Sequence, residues 1–370
     1  MTSVDQPLTA PGHKKKRKLF IALTWLAVLA LIEIGVRLVD PGAGQPVYPG
    51  YPNDLVVPDN HLGHALARNF SGFFPAAQYH EIPVQTNSYG FRDIEWPKNP
   101  GAARPRVMVL GDSVAFGSAV RREDRFTEQA AAMLLQQGRP CEMCNCGVTG
   151  YNIEQYKTVL QLRGPELKPN LVLVALILND AEPMEPDDAA RIDLHRAAAQ
   201  GSWWARLRLT SRDYHFDLGQ SYAYNFARRT IKTQMWQSAE SGARLNQQYN
   251  DQTWAKIARV YADGSGVRRL RESLTAMDLF AHDKLNARLA VLVFAYRRQL
   301  TKNDPAVSRK IDELLQVLHI PCIDLFDVLL PKAQMDLYVT GDDCHPNIAG
   351  HQLAGEATAE LLSGLLSGAN

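Results

Sequence analysis

Beyond residue 60 the apolar positions gather into short continuous runs, separated by stretches with helical spacing. Arg106-Val-Met-Val-Leu110 is one such run and ends in Gly111-Asp112-Ser113, which reads as a buried strand followed by a turn. Phe126–Leu135 is helical in composition, Cys141–Val148 reads as a second strand, and Tyr151–Leu162 as a helix. Asn170–Leu178 is the strongest strand signal in the chain. Arg288–Tyr296 and Ile320–Phe326 make five, with helices over Ser308–Leu318 and Ile348–Leu365. Strands alternating with helices predict an α/β fold of three layers, a doubly wound parallel five-stranded sheet with helices on both faces. Such sheets gather their sites beyond the carboxyl ends of the strands.

One spacing is too long for this pattern. About 107 residues separate the strand ending near Asp180 from the one starting near Arg288, far more than a crossover helix needs. Residues 190–265 carry Trp203, Trp204, Tyr214, Tyr222, Tyr224, Trp236, Tyr249, Trp254 and Tyr261. They read as a mostly helical insertion over the carboxyl edge. Its aromatics are first of all its own core, with a sugar- or acyl-facing surface as the sharper alternative.

At the N-terminus the pattern changes. Leu19–Ile32 is uncharged, and apolar character continues to Val39. As a helix, Leu19–Val39 would rise about 31 Å, enough to cross a bilayer. The nearest small-residue cluster, Gly42-Ala43-Gly44, lies late for signal cleavage. The segment therefore reads as an uncleaved anchor over 19–39, with a cleaved signal and a buried core helix as the alternatives. Residues 41–60 hold five prolines and three glycines, and 40–60 reads as an extended tether. The division is a tail over 1–18, the anchor, the tether, and one domain over 61–370 with its insertion.

Net charge sharpens the topology. The chain has 40 Lys+Arg and 39 Asp+Glu, a near balance that argues against a nucleic-acid binder. Five of the basic residues are Lys14-Lys15-Lys16-Arg17-Lys18, and beyond residue 18 there are 35 basic against 38 acidic. A basic run against an apolar segment places the N-terminus in the cytoplasm and the bulk of the chain outside.

Three places at strand ends can do chemistry. Ser113 opens a helix directly after a strand, so its hydroxyl is exposed and its N–H faces the place where an oxyanion forms. Ala115 stands where the Gly-x-Ser-x-Gly elbow has its second glycine. Asn179-Asp180 ends the longest strand, where a carboxamide can donate to an oxyanion. Asp342-Asp343-Cys344-His345 opens the last helix, and an Asp three residues before a His can hold its Nδ1–H and set the tautomer. Each alone also fits ordinary turn chemistry.

Together, Gly111-Asp-Ser113, Gly150 within Asn145-Cys-Gly-Val-Thr-Gly150-Tyr-Asn152, Asn179-Asp180 and Asp342-x-x-His345 resemble the ordered blocks of the SGNH/GDSL hydrolases. Asn87-Ser-Tyr-Gly-Phe-Arg-Asp93 is similar to the lead-in of membrane-anchored bacterial members. The resemblance spans Arg106 to about Leu365 and implies a flavodoxin-like sheet. It makes Ser113 the nucleophile, His345 the base and Asp342 its partner. The oxyanion donors would be the Ser113 N–H, the Gly150 N–H and the Asn179 side chain. Gly147 competes with Gly150, although spacing from Asn145 favours Gly150, and Asp343 competes with Asp342. Ile177 stands where the family has glycine, which predicts a narrower pocket.

The implied activity is an esterase that removes acyl groups, acetyl above all, from a cell-envelope or secreted carbohydrate or lipid. Transfer of the acyl group to a polysaccharide uses the same residues, and a non-catalytic glycan-binding scaffold on the same fold is the competing class. The site would lie outside the inner membrane of a bacterium, with polysaccharide-assembly proteins as possible partners and no nucleic acid. Five cysteines, Cys141, Cys144, Cys146, Cys322 and Cys344, leave at least one unpaired. The first three leave a bridge or a zinc site open, although no second ligand pair accompanies them. Cys344 beside the base reads as packing. No Walker loop, dinucleotide fingerprint or histidine pair at metal spacing is present, so neither cofactor nor metal is expected.

Overall fold

The computed structural model describes residues 12–39, 52, 55–74, 82–98, 104–205, 223 and 239–366. Helix α1, Gly12–Val39, contains a 21-residue stretch, Lys16–Val36, long and apolar enough to cross a membrane and with none of its residues buried in the protein. Two small antiparallel pairs follow, β1 (Val56–Asp59) with β2 (Gly63–Leu66) and β3 (Ser71–Phe73) with β4 (Pro83–Gln85). Strand β1 lies inside the stretch expected to be a tether. Leu55 is fully buried and Val56 nearly so, which corrects that boundary: apolar side chains here join the domain core before residue 60.

The main sheet is built from β5 (Arg106–Gly111), β6 (Glu142–Asn145), β7 (Leu171–Ile177), β8 (Arg288–Phe294) and β9 (Cys322–Asp324). All neighbours are parallel, in the order β6-β5-β7-β8-β9. The central strands β5 and β7 are buried at every position, as their unbroken apolar sequences require. The edge strands β6 and β9 are shorter than their apolar runs suggest: regular pairing of β6 stops at Asn145, beyond which the Cys146 and Val148 N–H groups still donate to β5 carbonyls from a loop, and Leu325–Phe326 begin a helix. The chain moves left from β5 to β6 and then rightward, so the topology reverses between β5 and β7. That reversal opens the crevice where such sheets bind ligands.

Short helix α2 (Ser113–Phe116) follows β5, and α3 (Phe126–Gln136) returns to β6. Helix α4 (Ile153–Leu167) leads to β7, its start fixed by an Asn152/Gln155 capping box. Among the described residues of the long span before β8 are helices α5 (Pro186–Ala199), α6 (Ala239–Ala262) and α7 (Ser265–Leu285). In that span Tyr261 is buried and Trp254 packs on the core, whereas Trp203, Trp204 and Tyr249 are exposed. Tyr214, Tyr222, Tyr224 and Trp236 lie outside the described residues. Helices α8 (Arg297–Lys302) and α9 (Ala306–Val317) precede β9, and α10 (Leu325–Leu329) and α11 (Ile348–Leu366) end the domain. Helix α11 lies close on α3: a Cβ at Gly355 would come within 2.6 Å of Gln129 Cβ.

The segment Asn87–Asp93 braces this framework from behind. Asn87 Oδ1 accepts from the Tyr89 and Phe91 N–H groups, each at 3.1 Å, closing a tight loop. The loop delivers Arg92 into the interior at 1% exposure. Its guanidinium donates to the carbonyls of Phe116 (3.1 Å), Gly117 (2.7 Å), Val120 (2.9 Å) and Pro83 (3.0 Å). The first three lie at the end of α2 and in the turn that follows it. Arg92→Leu leaves all four carbonyls without this donor and is expected to lower stability by about 3 kcal/mol, measured as a shift in the denaturation midpoint of the full chain.

Candidate active site

Strand β5 ends at Gly111, and α2 begins two residues later with Ser113 as its first residue. Asp112 caps it, its Oδ1 accepting from the Val114 N–H at 2.8 Å. The turn is possible because Gly111 has no side chain: a Cβ there would stand 2.5 Å from Ala115 Cβ. Ser113 therefore emerges at the carboxyl edge of the central strand.

His345 reaches this serine from the other end of the chain. Its Nε2 lies 2.8 Å from Ser113 Oγ, and its Nδ1 lies 2.7 Å from Asp342 Oδ2. Asp342 Oδ1 also accepts the N–H groups of Cys344 (2.7 Å) and His345 (2.9 Å), which fixes the carboxylate. Asp343 points elsewhere. Its carboxylate accepts from Arg298 Nε at 2.8 Å, and its carbonyl from the Arg297 N–H at 2.7 Å. Of the two competing aspartates, Asp342 is the one joined to the imidazole.

The electrostatics follow from burial and pairing. Burial opposes charge on His345, but the adjacent Asp342 carboxylate outweighs it and raises the imidazole well above its ordinary value. Burial likewise acts to raise Asp342, and the His345 charge and the donated hydrogen bonds overcome it, holding the carboxyl well below the usual range. Cys344 Sγ leans on the ring, 3.5 Å and 4.0 Å from its two nitrogens. Burial pushes that thiol up to about 12, so it stays protonated and packs. Asp342, Cys344 and His345 bring ligand-type atoms within 4.8 Å of one another, but the carboxylate and imidazole are already spent on each other and on Ser113. All five cysteines are free thiols.

The two competing glycines of the loop after β6 differ in their surroundings. Gly147 is pressed against α2, where a Cβ would come within 2.5 Å of the Phe116 nitrogen, and its N–H donates to Asn145 Oδ1 at 2.9 Å. Gly150 has a positive φ of 79°. Among the described residues its N–H meets no protein acceptor. At the end of β7, Asn179 Oδ1 accepts from the Tyr296 hydroxyl at 3.0 Å, which leaves the amide nitrogen to point away from Tyr296. Burial raises the Tyr296 phenol well above its ordinary value, so it remains a donor. Asp180 turns inward and accepts the Ile177 N–H at 2.8 Å. Ile177 sits in the sheet opposite Phe294 at 1% exposure, so it packs in the core and does not line the opening as its position in the block suggested.

Helix α6 forms a wall beside the triad loop. Asn250 donates to the Gly341 carbonyl at 3.1 Å, and Arg298 bridges Asp251 (2.7 Å) to Asp343 (2.8 Å). The Arg298 guanidinium also lies over the Trp254 ring, 5.4 Å from its centroid. Sequence reading passed over Tyr296 and Arg298. Their only signal was position, two and four residues beyond the end of β8, on the edge where the site forms.

The GDSL-like lipase/acylhydrolase family model matches residues 109–353, more than half of the chain. The chain belongs to the GDSL-like lipase/acylhydrolase family. As a member it is a serine hydrolase of ester bonds. Among solved structures it is similar to TesA, at 14% identity over 70% of this chain and 99% of that one, with a TM-score of 0.40. A lipase/acylhydrolase from Enterococcus faecalis matches at 14% identity over 70% and 96%, TM-score 0.40. A two-domain esterase, CEX, active on acetylated mannans, matches at 11% identity over 71% of this chain and 50% of that one, TM-score 0.41. No curated protein matches the chain.

For this GDSL-family chain, a base must be neutral to accept the serine proton. Because Asp342 raises His345, kcat/KM for p-nitrophenyl acetate is expected to fall as pH drops, with its midpoint above 6.5. Asp342→Asn removes the raising charge. A pH–rate series should then show the midpoint moved downward, together with a rate loss of roughly 10³-fold or more.

Proposed function

We propose that this chain is a membrane-anchored esterase that removes acetyl or similar acyl groups from a carbohydrate or lipid of the cell envelope or its secretions. The observation that carries the reading is the unbroken chain from Ser113 Oγ to His345 Nε2 at 2.8 Å and from His345 Nδ1 to Asp342 at 2.7 Å. A serine hydroxyl needs such a base to attack at neutral pH.

In the proposed reaction Ser113 Oγ attacks the acyl carbon while its proton passes to His345 Nε2. The ester C–O bond then breaks, and His345 gives that proton to the departing alcohol. Water attacks the Ser113 acyl-enzyme, losing a proton to His345. The Oγ–acyl bond breaks, the proton returns to Ser113, and the acid leaves. Asp342 holds the ring and stabilises the imidazolium at both stages. The Ser113 N–H, the Gly150 N–H and the Asn179 amide serve the developing oxyanion, each worth about 3 kcal/mol in comparable sites. The geometry of Gly150 and Asn179 supports this, since each presents an amide hydrogen without a protein acceptor among the described residues.

The N-terminal segment supports a reading of the location. The basic run Lys14–Lys18 directly precedes the apolar stretch, which favours a single pass through the inner membrane with the N-terminus in the cytoplasm and the domain in the periplasm or outside.

The test uses the full chain in detergent and p-nitrophenyl acetate. Ser113→Ala and His345→Ala are each expected to lower kcat at least ~10³-fold, and equal rates in all three proteins would overturn the assignment. A fluorophosphonate should label Ser113, and absence of labelling would favour a non-catalytic scaffold. Adding oligosaccharide acceptors distinguishes the products: acetate alone marks an esterase, acetylated sugar an O-acetyltransferase using the same triad.

A further inference from the structure

A second buried His–Asp pair lies beneath the loop that carries Gly150, and the reaction described above makes no use of it. His64, on β2, is 4% exposed. Its Nδ1 lies 2.8 Å from Asp188 Oδ2 on α5, and its Nε2 lies 2.9 Å from the Thr149 carbonyl oxygen. A carbonyl oxygen only accepts, so Nε2 carries a hydrogen and donates it.

The partner of that hydrogen is what matters. The Thr149 carbonyl and the Gly150 N–H belong to one peptide unit. In a trans peptide the two point in opposite directions, so holding the oxygen also aims the N–H. The unit is the central peptide of the turn Val148–Tyr151, closed by the Tyr151 N–H on the Val148 carbonyl at 3.3 Å. Such turns exist in two forms that differ by a flip of this peptide. A positive φ at the third residue, here 79° at Gly150, marks the second form. Glycine tolerates either form, so the turn by itself does not choose. The hydrogen bond from His64 favours the observed form.

The ring is held on several sides. Asp188 reaches it across Gly63, where a Cβ would stand 2.3 Å from Asp188 Cβ, so a larger residue at 63 would push the carboxylate away. Gln155 Nε2 donates to the Leu62 carbonyl at 2.7 Å and lies 3.4 Å from the same Asp188 oxygen. The Tyr151 hydroxyl donates to the His64 carbonyl at 2.7 Å, and its ring meets the imidazole edge-on.

We propose that His64, seated by Asp188, is a positioning residue for ester hydrolysis: it locks the Thr149–Gly150 peptide so that the Gly150 N–H aims at the oxyanion. The proposal rests on the reading of Gly150 as an oxyanion donor. A histidine that only filled space would affect folding. A histidine that aims a donor used only in the transition state affects kcat and leaves KM alone.

The experiment measures kcat and KM for p-nitrophenyl acetate on the full chain in detergent. Ser113→Ala comes first: if turnover does not depend on Ser113, the active-site reading fails and this proposal falls with it. With Ser113-dependent turnover in hand, His64→Leu is expected to lower kcat by about 30-fold, part of the 10²–10³ that loss of a whole donor costs, with KM within twofold. His64→Gln, whose amide can still donate to Thr149, should recover most of that loss. A folded leucine variant that loses less than tenfold in kcat, or a glutamine variant as impaired as the leucine one, overturns the proposal. Should the leucine variant fail to fold, Asp188→Ala decides, because it leaves the ring and removes its seat. A kcat loss of fivefold or more at unchanged KM supports the clamp, and any smaller loss, or a loss expressed in KM, overturns it.

Discussion

The site depends on how closely the four-residue helix Ser113–Phe116 is held. A helix this short has no stability of its own, since nucleation costs more than its few hydrogen bonds return. Its surroundings fix it instead. Gly111 below and Gly147 beside it let neighbouring backbone approach to distances a Cβ would forbid. Asn145 Nδ2 donates to the Ala115 carbonyl at 2.8 Å, and Arg92 takes the carbonyls at the far end. Ser113 is thereby placed before any catalytic partner is considered. The imidazole that meets it is 232 residues away in sequence and arrives because α11 lies on α3.

Behind α2 stands a buried polar framework. Arg125 donates to the Arg92 carbonyl at 2.5 Å and pairs with Glu128. Asp93 accepts from Trp96 Nε1 at 2.9 Å and from the Asn145 N–H at 3.0 Å. This joins the Asn87–Asp93 segment to α3 and to the loop after β6. Buried charges are expensive unless fully paired, and a network of this kind tolerates few alternative arrangements. It ties the position of the Asn87–Asp93 segment to the helix that carries Ser113, which gives that segment a physical role within the domain.

The alternation of apolar runs was enough to read the sheet, because β5 and β7 are buried on both faces and carry no polar interruption. Edge strands were less legible. Cys141–Val148 looks like a strand throughout, yet the regular strand is only Glu142–Asn145, since the chain then bends with Gly147 against α2, while the Cys146 and Val148 N–H groups still donate to the Val109 and Gly111 carbonyls. The residues proposed as the triad, Ser113, Asp342 and His345, sit in short motifs at strand ends, where a sequence shows them. Spacing from Asn145 already favours Gly150 over Gly147, and Asp342 is preferred to its neighbour Asp343; in the fold Asp343 is held by Arg298 and the Gly147 N–H by Asn145. The strand β1 inside the proline-rich stretch was hidden by composition, because prolines at the chain's entry mask two buried apolar residues.

What sequence could least reveal is how the amide donors are aimed. An amide offers an acceptor and a donor at opposite ends, and only one end helps an oxyanion. For the two donors proposed here, the acceptor ends are both occupied from elsewhere in the chain: Tyr296 on the Asn179 carboxamide oxygen and His64 on the Thr149 carbonyl. Either contact, if lost, would permit a rotation that turns an oxygen toward the developing negative charge, exchanging attraction for repulsion. Preorganised donors contribute because they need not reorient during the reaction. Their orientation must therefore be set by contacts on the side facing away from the substrate. Such contacts carry no motif, since any hydroxyl or ring N–H at the right place will serve, and here they come from β2 and from beyond β8, far from the residues they orient.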